Sequence, residues 1–262
     1  MHEALRPFRT FRRRHLALMG QVARIQHSLL DQTTVLGYLW ILLHPLALLL
    51  VLYLFFSGRV GAGIPHYAIY LLVGLVQFTH FSKSTASAMR ALHRMRSMAV
   101  NVIFPKDVLV YSSLLSDAPE FLVSMAVTVV IAVLTGVPLT WALLALPLVV
   151  ALQLLLVLWV SLLLAVMYVY VHDLDHVYEV ALRLLFFVTP IIYSVAILSP
   201  PAQRLALLNP LTHVIGFGRT VILEGRVPPA PALLGFLLVN VVLVYAALVL
   251  FRRAEPALIE QL

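Results

Sequence analysis

Residues 121–172 read FLVSMAVTVVIAVLTGVPLTWALLALPLVVALQLLLVLWVSLLLAVMYVYVH, with no Asp, Glu, Lys or Arg among them. A helix crosses the hydrocarbon core of a bilayer in ~20 residues, so this stretch is too long for one crossing and fits two. Gly136-Val-Pro138-Leu-Thr140 is the natural turn between them. The expectation is a tight helical hairpin, with limbs at about 117–135 and 141–170. The second limb is overlong and is expected to tilt or protrude.

The whole chain matches that reading. Hydrophobic residues make up 62% of its 262 positions and charged residues 11%, less than half the share of a soluble domain. It reads as one all-α membrane domain over 1–262, with no room for a second, soluble one. There is no cysteine, which excludes disulfides and thiolate metal sites. The formal net charge is +7. Because the basic residues flank apolar runs, that excess reads as a topology signal and not as a nucleic-acid surface.

Outward from the hairpin, four more crossings are expected. The first covers about Leu36 to Ser57 with His44-Pro45 inside it, and the second about Tyr67 to Phe81, continuing towards Arg90. The fifth covers about Val180 to Leu198 and contains Thr189-Pro190; the sixth covers Ala232 to Phe251. Residues 199–231 are punctuated by Pro200-Pro201, Asn209-Pro210, Gly216, Gly218, Gly225 and Pro228-Pro229. They read as short helices and re-entrant turns, which survive at membrane depth only when protein-buried or facing water.

Residues 1–35 carry Arg6, Arg9, Arg12, Arg13 and Arg14. Leu18, Val22, Ile25 and Leu29 then recur at helical spacing, the pattern of an amphipathic helix lying in the interface. A signal peptide is the competing reading, disfavoured by the long basic region and the missing small-residue cleavage site. Six crossings put both termini on one side. Arg59, Arg204, Arg219 and Arg226 are the four basic residues on the opposite face, against 14 of the 18 on the side of the termini. The positive-inside rule places that side, and a short tail at 252–262, in the cytosol.

The same rule puts Ala99-Val-Asn-Val-Ile-Phe-Pro-Lys-Asp-Val-Leu-Val110 in the cytosol, behind the basic residues Lys83, Arg90, Arg94 and Arg96. An apolar Phe104-Pro105 plug followed by Lys106-Asp107 is suited to docking. No Gly-x-x-x-x-Gly-Lys-Ser/Thr occurs, so ATP cannot be held through a P-loop of this chain. The spans hold almost no carboxylates and show no inverted repeat, which disfavours an ion-coupled carrier.

Two enzyme readings stand beside transport. His172-Asp173-Leu174-Asp175-His176 places two His at i and i+4, a zinc-like spacing, with Glu179 nearby; a polar loop between spans is the simpler account. Ser161, Ser194 and His80 are the candidates for intramembrane hydrolysis, but no Gly-x-Ser-x-Gly accompanies them. Tyr38, Trp40, Tyr53, Phe55 and Phe56 cluster in the first span. They suit either an interfacial aromatic belt or a lining on which sugar rings stack.

Several motifs then occur in a recognisable order: Val35-Leu-Gly-Tyr-Leu-Trp40…His44-Pro45, Tyr70-Leu-Leu-Val-Gly74, Asn101-Val-Ile-Phe104-Pro105-Lys-Asp-Val-Leu, Thr189-Pro190-Ile-Ile-Tyr193, and Asn209-Pro210…Arg219…Glu224-Gly225. Together they resemble the permease subunits of type-2 ABC exporters, especially those for O-antigen, capsule and teichoic-acid polymers. His44 stands where that family commonly has Asn, and His172-Asp173 where it has Arg-Asp.

The resemblance implies a half-transporter in the bacterial inner membrane: a homodimer bound to two copies of a separate ATPase, which carry ATP and magnesium. This chain would bind no cofactor, perform no catalysis and bind no nucleic acid. Asn101, Phe104, Pro105, Lys106 and Asp107 would form the ATPase-coupling loop. Pro190, Asn209, Pro210 and Arg219 would form an outer gate, and Tyr38, Trp40, Tyr53, Phe187 and Tyr193 the substrate path. Arg13, Arg14, Arg24 and Arg94 would meet either membrane lipids or the diphosphate of a lipid-linked glycan, typically on undecaprenyl diphosphate. An exporter of a drug or lipid, or a multi-pass membrane enzyme, is the alternative.

Overall fold

The computed structural model describes residues 37–96, 99, 104–171 and 173–261, with side chains described from 43 to 258 within those ranges. The expected interface helix with Arg13, Arg14 and Arg24, the side chains of Tyr38 and Trp40, and residues Asn101 and His172 lie outside them. The described residues are helical, in the order α1 Gly37–Phe56, α2 Tyr67–Met89, α3 Ala91–Arg94, α4 Asp107–Leu134, α5 Leu146–Tyr170, α6 Leu174–Val188, α7 Pro200–Leu208, α8 Pro210–Ile222 and α9 Ala230–Gln261. A 3-10 turn, Trp141–Ala145, leads into α5, and a shorter one, Val195–Ile197, precedes α7.

The expected hairpin is α4 and α5. Its turn is set by Gly136, whose φ of 88° is open to glycine and strained for other residues. The Val137 N–H donates to the Ala132 carbonyl and the Gly136 N–H to Val133. That pair of bonds satisfies carbonyls of the last turn of α4. Two limits differ from expectation. α4 begins at Asp107 and not near 117, because Leu109 and Val110 are apolar enough to extend it into a second core. α9 runs on through Arg252 and Arg253, because Phe251 and Leu258 bury against that same core. The 252–258 segment is therefore packed helix and not a loose tail.

α2 is the central element, buried on all sides and packed against α1, α4, α5 and α8. Among apolar helices in lipid, burial of Leu against Leu gives little net drive, so close packing and polar cross-links matter more. Two cross-links reach α5: Trp159 Nε1 donates to Asn240 Oδ1 of α9 at 2.9 Å, and Gln153 Nε2 to the Gln77 carbonyl of α2 at 3.2 Å. The outward faces carry Leu122, Val130, Leu134, Leu144, Leu234, Leu238 and Val242, all more than half exposed, as a surface solvated by lipid tails requires.

Among the described residues, Asp107–Leu134, Trp141–Tyr170 and Ala230–Leu258 are long and apolar enough to cross a membrane. Pro200–Leu208 and Pro210–Ile222 together form a fourth, broken element bent by 89°. The fifth expected crossing is also shorter as helix than the sequence suggested. α6 stops at Val188, where Thr189-Pro190 turns the chain, instead of running to Leu198.

Candidate functional site

The break after α6 exposes backbone that a helix would satisfy, and four consecutive carbonyls there are taken by side chains. Arg219, on α8 and buried, donates from Nη1 to Pro190 O at 2.7 Å and from Nη2 to Ile191 O at 2.8 Å. Tyr67 Oη donates to Ile192 O at 2.8 Å, and Tyr70 Oη to Tyr193 O at 2.8 Å. The guanidinium also donates from Nε and Nη2 to Tyr70 O at 3.2 and 3.1 Å, and its carbon lies 3.3 Å from the centroid of the Tyr70 ring. Among the described residues no carboxylate contacts it. Carbonyl dipoles and one aromatic face hold the charge, a task suited to the planar fork of Arg.

The other half of the break is held by Asn209. Its Nδ2 donates to Thr189 Oγ1 at 2.8 Å, and its Oδ1 accepts from the Leu211 N–H at 3.0 Å, capping α8. Pro210 follows at the first position of α8, where a missing N–H costs nothing. Pro190, Asn209, Pro210 and Arg219, the residues expected to form an outer gate, thus lie around one break in the chain. Arg219 is an internal clamp and does not face an open path.

Gly74 of α2 makes room for this clamp. A Cβ there would lie 2.9 Å from Arg219 Nη2 and 3.1 Å from Ile191 Cγ2. Gly74→Ala is expected to destabilise the protein by ~1–3 kcal/mol, the usual cost of overpacking. The melting midpoint in a mild detergent reads this directly; an unchanged midpoint would mean the clamp is slack.

Tyr53 of α1 lies 6.2 Å from Tyr67, ring to ring, and Tyr67 lies 6.2 Å from Tyr70. Tyr193 Oη donates to Phe187 O at 2.7 Å. Of the expected path residues, Tyr53 and Phe187 are exposed and Tyr193 is half-buried at the clamp. Sequence reasoning missed Tyr67 and Tyr70 as clamp residues. Their spacing with Gly74, at i, i+3 and i+7, marked one helix face and was the available signal.

The described part of the expected coupling loop, Phe104 to Asp107, lies beside the end of α9. The Lys106 N–H donates to Glu255 Oε1 at 2.9 Å, Arg252 Nη2 reaches Asp107 Oδ2 at 3.5 Å, and Lys106 Nζ sits 4.5 Å from the Phe104 ring centroid. Lys106 and Asp107 are 4% and 3% exposed, while Phe104 and Pro105 are half-buried. Asp107 also sits in the first turn of α4, where a carboxylate favours the helix dipole. The two charged residues therefore brace the loop, and the apolar pair is its more accessible part. Arg94 is exposed.

Among the described residues the enzyme readings gain no assembled site, and His172 lies outside them. Asp175 pairs with Arg90 at 2.6 Å, and Tyr178 Oη with Thr85 Oγ1 at 2.6 Å, tying the start of α6 to the end of α2. No group of three metal-ligating residues converges among the described residues. Ser194 accepts from the Ala196 N–H and His80 bonds Ser84, so neither engages Ser161.

The chain matches a family profile described as ABC-2 type transporter over residues 22–223. It is 31% identical to the O-antigen export system permease protein RfbA of Myxococcus xanthus over 226 residues, covering 85% of this chain and 87% of that one. It is 24% identical to the RfbA of Klebsiella pneumoniae, over 74% of this chain and 75% of that one. It is 25% identical to the polysialic acid transport protein KpsM of Escherichia coli, over 86% and 88%. The profile runs through the coupling loop, the hairpin, the α6 break and the Arg219 clamp, so the bundle that these features hold together is that of the ABC-2 type transporters, the family to which this chain belongs.

Proposed function

We propose that this chain is the membrane subunit of an ATP-driven exporter that moves a lipid-linked polysaccharide out across the bacterial inner membrane. The observation that carries the reading is the near full-length similarity to permeases named for O-antigen and polysialic acid. In this reading α1, α2, α4, α5, α6 with its following turn, and α9 make six crossings, and residues 1–35 lie in the interface. Both termini, the coupling loop and the Arg90–Asp175 pair face the cytosol.

Two copies assemble around a central path, each with an ATPase chain that supplies the nucleotide and magnesium site. Closure of the ATPase pair pushes on Phe104 and Pro105, and the braced loop passes that push along α4. The broken α7–α8 unit with Pro190, Asn209, Pro210 and Arg219 forms the outer gate, and Tyr38, Trp40, Tyr53, Phe187 and Tyr193 offer ring faces to sugars. Arg13, Arg14, Arg24 and Arg94 lie where a diphosphate or anionic lipid would meet them.

The test is deletion of the gene in its host. The expected result is loss of surface polysaccharide with lipid-linked polymer accumulating inside; unchanged surface glycan together with new drug sensitivity would overturn the polysaccharide reading. For the path, Tyr53→Ala and Phe187→Ala are each expected to cut export roughly threefold to tenfold, from lost stacking of ~0.5–1.5 kcal/mol. Their melting midpoints should stay near that of the native protein, since both rings are exposed. Undiminished export would return these rings to the aromatic belt.

A further inference from the structure

A polar recess lies away from the clamp, between α1, α2 and α4. Pro45, Thr79, His80, Lys83, Ser84, Asp117, Glu120 and Ser124 supply its lining, with Val76 and Phe121. The Lys83–Glu120 ion pair is its more exposed part, with side chains 50% and 27% exposed. Deeper in, Asp117 and His80 are each 7% exposed, and both leave one atom without a partner: Asp117 Oδ2 and His80 Nε2. The imidazole is fixed in place, stacked on Phe121 with ring centroids 4.0 Å apart and bonded through Nδ1 to Ser84 Oγ at 3.2 Å.

Position narrows the ligand. Asp117 stands 17 residues before Leu134, the end of α4, which at 1.5 Å per residue is ~26 Å along the helix. That is close to the thickness of the hydrocarbon core. The recess therefore sits at headgroup level on the side of the membrane opposite the Gly136 turn, flanked by exposed Leu115, Leu122 and Leu50.

Charge narrows it further. A buried carboxylate oxygen without a hydrogen bond is costly. Ser84, Lys83 and Arg94 act on Asp117 from the protein side, yet Oδ2 still has no donor, and a primary ammonium supplies one with the opposite charge. A phosphate or diphosphate alone would meet Asp117 and Glu120 and be repelled. A neutral hydroxyl could bond Asp117 but would bring no opposite charge. Lys83 has three ammonium donors and gives Glu120 one contact, which leaves donors facing outward for an anion. A cation held deep and an anion held at the mouth describe a zwitterion.

We infer that the recess between α1, α2 and α4 is a headgroup site for an aminophospholipid, with the primary ammonium on Asp117 Oδ2 and His80 Nε2 and the phosphate on Lys83. With Nδ1 carrying the ring proton, His80 Nε2 accepts from the ammonium. Trimethylated choline has the same charge but no N–H to donate, and glycerol headgroups have no cation. The site thus selects phosphatidylethanolamine over phosphatidylcholine and phosphatidylglycerol. It uses none of the residues proposed for the polysaccharide path and does not depend on what the protein exports.

Native mass spectrometry of the full-length protein, released from detergent with matched-chain phosphatidylethanolamine, phosphatidylcholine or phosphatidylglycerol, tests this. The expected result is about tenfold greater retention of the ethanolamine lipid, the effect of one charge-assisted hydrogen bond. Asp117→Asn should reduce that retention to the choline level, and Lys83→Gln should weaken the ethanolamine and choline lipids alike. Equal retention of ethanolamine and choline lipids by the unmodified protein, or strongest retention of phosphatidylglycerol, overturns the inference. So does an ethanolamine preference that survives in Asp117→Asn. The headgroup series on the unmodified chain stands even if a variant fails to fold.

Discussion

Arg219→Leu is expected to lower the melting midpoint in mild detergent by ~10 °C or more, or to prevent recovery of folded protein. Leucine removes four charged hydrogen bonds and leaves the carbonyls of Pro190 and Ile191 without their donors, while Tyr70 O keeps its place in the helical ladder of α2. Each unsatisfied carbonyl costs ~1–3 kcal/mol when buried, and at membrane depth no water replaces the lost donor. The sum, roughly 5 kcal/mol, is a large share of any domain's stability. Arg219→Lys keeps the charge but offers one ammonium where a fork spans two successive carbonyls, and it loses the planar stack on Tyr70. It should recover less than half of the midpoint shift. A leucine variant that melts like the native protein would show that the break after α6 holds itself.

Phe104→Ala is expected to reduce co-purification of the partner ATPase by about thirtyfold in affinity, the ~2 kcal/mol typical of an aromatic anchor at an interface. Pro105→Ala should lower coupling further by freeing the backbone ahead of α4. Insertion into the membrane should be unaffected, because the residues lie outside the apolar stretches. Glu255→Gln and Arg252→Ala provide a sharper contrast. They sit on α9, yet they hold the Lys106 N–H and Asp107. If bracing matters, they should leave the ATPase bound but reduce substrate-stimulated hydrolysis. Wild-type association and stimulation in Phe104→Ala would remove the loop from the coupling path.

The hairpin was legible because 52 uncharged residues admit only one economical arrangement in a bilayer, and Gly136 marked its turn. The short helices around Asn209 were legible for a related reason, since paired prolines and glycines leave few alternatives. The ends of α4 and α9 were not. Composition marks where a helix leaves the membrane, whereas Leu109, Val110, Phe251 and Leu258 extend these helices by packing into one cluster. The stop at Val188 was also hidden. An X-Pro step inside an apolar run reads equally well as a kink, and only the donors from Tyr67, Tyr70 and Arg219 make a full break affordable. Arg219 itself was expected at an outer gate, and the structure shows it as an internal clamp on the α6 break. Its donors are spent inside the fold, which no count of charges on a loop reveals. The polar recess was not foreseen, because spacing along α4 alone does not show that Asp117 and Glu120 meet residues of α2 and α1.

The brace between the coupling loop and α9 also has a consequence for biosynthesis. Lys106 and Glu255 are 149 residues apart, so at ~5–20 residues per second the loop leaves the ribosome roughly 7–30 s before its support exists. During that interval the docking surface has sequence but no rigid shape. A nascent chain that stalls before α9 would thus present the motor with an unbraced loop, and recruitment of the ATPase would report that the last helix has arrived.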